Sequence, residues 1–69
     1  MNTALDAVVA KLKEFQSRHA ELERKLSAPI YYTKKQLKSF RQKRDWLEGW
    51  IEGLEIARDE ILKAQETTL

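Results

Sequence analysis

The chain has no cysteine and only one histidine in 69 residues. A disulfide framework is therefore excluded, as is any thiolate metal centre. The lone histidine, His19, rules out every site that needs two imidazoles, and nothing in the pattern calls for a metal or a cofactor. Two glycines and one proline are too few for the turns of a sheet-built fold and suit long helices instead. The longest apolar runs, Ala7–Ala10 and Ala28–Tyr32, fall far short of the roughly 20 residues that span a bilayer. No basic segment followed by an apolar stretch opens the chain. No secretory leader and no membrane partner are expected, and the cytoplasm is the expected location.

What is present is charge and helical periodicity. Charged residues make up 35% of the chain, with 13 bases against 11 acids and a net charge of +2. Residues 1–69 are read as a single domain, and one this short buries too little surface to be secure without a staple or a partner subunit. A helix is expected over about 4–27, opened by a capping box of Thr3 and Asp6. Along it Leu5, Val8, Leu12, Phe15, His19, Leu22 and Leu26 recur at alternating steps of three and four, the a/d spacing of a heptad seam. Pro29 stops that helix, because proline disfavours helical geometry at the residue before it and cannot continue the ladder.

A turn over 28–33 follows. A second capping box, Thr33 with Gln36, opens a helix over about 34–66. Its seam is read as Phe40, Lys43, Leu47, Trp50, Leu54, Ala57, Ile61 and Ala64. The fold class is all-α, an antiparallel helical hairpin, with the second helix outreaching the first by roughly nine residues.

The second helix is apolar around nearly half its circumference. Leu37, Ile51 and Leu62 lie on one flank, and Trp46, Trp50 and Ala57 lie on the other. The first helix can cover only one of these. Leaving both tryptophans in water would forfeit roughly 1.5–3 kcal/mol each, so the hairpin is expected to pair as a homodimeric four-helix bundle. In architecture alone such an assembly resembles the Rop family of helical-hairpin dimers, which bind paired RNA loops. No motif of that family occurs in this chain, and no residue or activity is carried over from it.

Four groups of residues are candidates for a site. Trp46, Gly49, Trp50, Gly53 and Ala57 set two glycines among large rings; glycine inside a helix costs about 1 kcal/mol relative to alanine. Gly-x-x-x-Gly spacing admits a second backbone closely, as a dimer seam or as a recognition surface for another protein. The second group is basic: Lys34, Lys35, Lys38, Arg41, Lys43 and Arg44 follow Tyr31 and Tyr32. That combination suits contact with an anion or with nucleic acid phosphates, although no base-reading motif accompanies it. The same charges also polarise the chain. Residues 18–44 carry net +7 and residues 45–69 net −5, so two hairpins would attract when laid head to tail.

The third candidate is His19, a polar residue in an apolar seam, expected to fix register as a buried asparagine does in coiled coils. Arg44 sits at a comparable edge of the second helix. The fourth is the acidic row Asp45, Glu48, Glu52, Glu55 and Asp59, expected on an outward, solvated face. No nucleophile–base pair, phosphate-cradling loop or cofactor motif occurs, so neither an enzyme nor a small-molecule substrate is expected. The expected function is a non-enzymatic protein–protein interaction module (adaptor, regulator or inhibitor) that docks on a macromolecular partner as a homodimer. Nucleic-acid binding by residues 34–44 and purely structural oligomerisation stand as alternatives.

Overall fold

A computed structural model describes residues 3–67, with side chains to residue 66. Two helices, α1 (Thr3–Leu26) and α2 (Lys34–Thr67), are joined by a short 3₁₀ turn at Pro29–Tyr31. Cross-helix contacts fix their direction. Phe15 meets Trp50, His19 meets Glu48 and Lys25 lies over Phe40, so α2 descends as α1 climbs. The hairpin is a rod of 54 × 17 × 14 Å. Among the described residues no helix is long and apolar enough to cross a membrane.

The ends of the elements follow from local chemistry. Thr3 is already helical, one residue earlier than its reading as a cap. At the other end of α1, Ser27 donates its amide to the Glu23 carbonyl at 3.0 Å and its hydroxyl to the Arg24 carbonyl at 2.6 Å. Carbonyls of the last turn that lack a partner within the helix are thereby used. The Thr33 capping box forms as read. Gln36 donates its amide to Thr33 Oγ1 at 3.1 Å, and Thr33 donates its own amide to Gln36 Oε1 at 2.9 Å. At 34 residues against 24, α2 is ten residues longer than α1. Part of that excess is covered at the turn, where the Tyr32 ring stands edge-on to Phe40 at 5.0 Å.

The core consists of Leu12, Phe15 and Leu22 from α1 and Leu47 from α2, with Phe40, Ile51 and Leu54 packed against it. On α1 the expected seam holds, since Leu5, Val8, His19 and Leu26 are half-buried along the same stripe. On α2 the seam runs instead through Leu37, Phe40, Arg44, Leu47, Ile51, Leu54, Arg58, Ile61 and Gln65, again at alternating steps of three and four. Lys43, Trp50 and Ala64, placed in the seam by the sequence, are exposed, and Ala57 sits half-buried beside it. The reason is physical. In this phase Arg44 meets the Glu23 and Glu48 carboxylates, while Trp50 still packs against Phe15 from the edge of the seam.

Candidate functional site

The aromatic flank of α2 is built on one α1 side chain. Phe15, buried, lies 6.1 Å from the Trp46 ring and 6.0 Å from the Trp50 ring, and the two indoles are 6.0 Å apart in an edge-on arrangement. Tilted and edge-on geometry suits the ring quadrupoles. Lys11 and Arg18 extend their cations to 5.9 Å from the Phe15 centroid on the α1 side. The three-ring cluster is supported from beneath and open above: Trp46 is 56% and Trp50 50% exposed. Asp45, Trp46, Gly49, Trp50, Gly53, Leu54 and Ala57 line one shallow groove. The structure therefore brings all five sequence candidates onto one surface. A Cβ added at Gly49 or at Gly53 would meet nothing within 4 Å, so the hairpin itself does not need glycine at either position.

A polar cluster ties the two helices together. His19 Nε2 lies 3.0 Å from Glu48 Oε1 across the interface and 3.8 Å from Glu23 Oε1 on its own helix. Arg44 Nε approaches the same two carboxylates at 3.7 and 3.9 Å, and its Nη2 lies 3.3 Å from Asp45 Oδ1. Glu48 thus leaves the outward acidic row and reaches back to α1. His19, Glu23 and Glu48 hold three potential ligand atoms within 4.8 Å of one another. The donor set fits a metal poorly, because the Arg44 guanidinium already supplies the cation that both carboxylates face. The cluster joins α1 and α2 through His19, Glu23, Arg44 and Glu48. Glu23 was not singled out from the sequence, although its i,i+4 spacing from His19 is the signal that would have found it.

The basic group divides. Arg44 is drawn into the interhelical cluster, and Tyr32 is half-buried against Phe40. Neither belongs to an open contact surface. Lys34, Lys35, Lys38, Arg41 and Lys43 remain exposed, and among the described residues none of them has an ion-pair partner. Lys34, Lys38 and Arg41 follow the four-and-three spacing of one outward face. Tyr31 is 78% and Ile30 84% exposed at the turn. Ile30, and Ile56 at 57% on the outer side of α2, are apolar groups that periodicity did not flag. Comparison with protein-family models, curated proteins and solved structures finds no match for the chain.

Proposed function

We propose that this chain is a small non-enzymatic interaction module. It acts as a homodimer of helical hairpins and docks on a macromolecular partner. The observation that carries this reading is the open three-ring cluster. Two half-exposed indoles rest on a buried phenylalanine, and contiguous large apolar side chains left open in this way mark interaction surfaces. Aromatic anchors also dominate binding energy at protein interfaces. Once the aromatic flank is covered in the dimer, the surface left for a partner is the basic end of the rod. There Tyr31, Lys34, Lys38 and Arg41 suit an acidic protein surface. The deciding experiment compares the solution mass of the unmodified chain with that of Trp46→Ala. The expected result is two chains for the first and dissociation toward one for the second, with helicity retained. An unchanged dimer of Trp46→Ala would place the contact elsewhere.

A second reading is favoured by the five unpaired cations, which also suit nucleic acid phosphates, with Tyr31 able to stack on a base. Duplex affinity would then fall on a log–log plot against salt with a slope near −0.9 per phosphate contact. It would vanish in the triple variant Lys34→Glu, Lys38→Glu, Arg41→Glu. No gel shift at low salt would remove this reading and leave the protein partner.

A further inference from the structure

Beside the α1-facing seam, α2 carries a stripe of Lys43, Trp46, Trp50, Gly53, Ala57 and Glu60, at steps of three, four, three, four and three, exposed or half-exposed except for the half-buried Ala57. At 100° per residue it is centred roughly a quarter turn from Leu47 and the α1-facing seam, which is where a four-helix bundle needs its second contact face. In order, the stripe carries a cation, two large rings, two small residues and an anion. That sequence is its own complement when reversed. We propose that the occupant of this face is a second copy of the chain, with α2 packed antiparallel on α2 so that each tryptophan is seated over a small residue of its partner.

The register follows from pairing a with d positions across an antiparallel seam. Trp50 faces Gly53 of the partner subunit, Trp46 faces the partner's Ala57, and Lys43 faces the partner's Glu60. Three features of the single hairpin match this arrangement. The space over Gly53 is open to 4 Å, so there is a seat for an indole. The indoles are half-exposed, so there are rings to fill it. Lys43 and Glu60 are exposed, and neither has an ion-pair partner among the described residues.

Charge and shape disfavour the parallel alternative. Parallel packing would set tryptophan on tryptophan, leave the glycines facing each other across a void, and align two copies of residues 34–44, each of net +6. Antiparallel packing lays that segment beside residues 59–69, which carry three acids and one base. Like-charge juxtaposition selects against the wrong orientation more strongly than surface pairs stabilise the right one.

This inference rests on the dimeric reading above, and the test separates the two. The chain has no cysteine, so Lys43→Cys and Glu60→Cys can be made as single variants, mixed and air-oxidised. Positions 43 and 60 lie about 25 Å apart along one helix, so any disulfide between them joins two chains. The expected result is a covalent dimer of the two different variants, formed in clear excess over either variant joined to itself. A second expected result is that Gly53→Leu weakens association at least about tenfold without loss of helicity, because a Cβ at this position meets nothing within 4 Å in its own hairpin. Lys43→Cys joined to itself would overturn the antiparallel register. A dimeric mass without the mixed disulfide would overturn this register and leave the dimer standing, whereas a monomeric mass would overturn both.

Discussion

Leu47 and Glu48 are neighbours in sequence and carry very different weights. Leu47 is 4% exposed at the centre of the core. Leu47→Ala removes buried methyl groups and leaves a cavity, and is expected to cost about 2–5 kcal/mol. Glu48 accepts from His19 and faces Arg44, but its side chain is 53% exposed. Solvent screening limits such a pair to about 0–1 kcal/mol. Urea unfolding of the two variants should therefore differ by about 1–5 kcal/mol, with Leu47→Ala the weaker, and equal losses would show that the polar cluster contributes as much as the core. Glu48→Ala has a second consequence: it leaves Arg44 with Glu23 and Asp45 and removes the carboxylate of α2 that His19 meets.

At the scale of the element, α2 depends on its N-terminus. The reciprocal bonds between Thr33 and Gln36 satisfy donors that the first turn cannot. Lys34 and Lys35 place cations at the dipole's positive end, which is unfavourable by a few tenths of a kcal/mol each. Thr33→Ala is expected to destabilise the hairpin by about 1 kcal/mol, measurable as a drop in Tm of about 4–8 °C for a domain of this size. No change in Tm would mean that α2 is held by packing alone from Leu37 onward.

How much of each helix was legible in the sequence also differs. The seam of α1 could be read directly, since its large apolar residues recur in only one phase. Along α2 two phases satisfy the same spacing, one through Lys43, Trp50, Ala57 and Ala64, the other through Arg44, Ile51, Arg58 and Gln65. Periodicity within one helix cannot choose between them. The choice is made by what waits on α1, where Glu23 and His19 receive Arg44 and where Phe15 supports the indoles at the edge of the seam. Gly49 and Gly53 were legible as an anomaly, but their meaning depends on the space above them.

The whole molecule is a slender rod in which one helix serves two faces. α2 gives its leucine and isoleucine stripe to α1 and presents its tryptophan stripe to the outside. A chain of 69 residues has little core to spare, and exposing two half-covered indoles wastes much of the apolar surface it has. In the proposed dimer a second hairpin would cover that flank and complete a four-helix bundle with a basic group at each end, which would leave two equivalent surfaces for an acidic partner. Salt would weaken the orientation of the pair more than its cohesion, because the tip charges are exposed while the rings pack by apolar burial.

Sedimentation equilibrium of the unmodified chain at tens of micromolar tests the central claim most directly. A particle of twice the chain mass, with that mass persisting in high salt, is the predicted result. A fully helical particle of one chain mass at that concentration would contradict it, since both indoles would then stay half-exposed with no second chain to cover them.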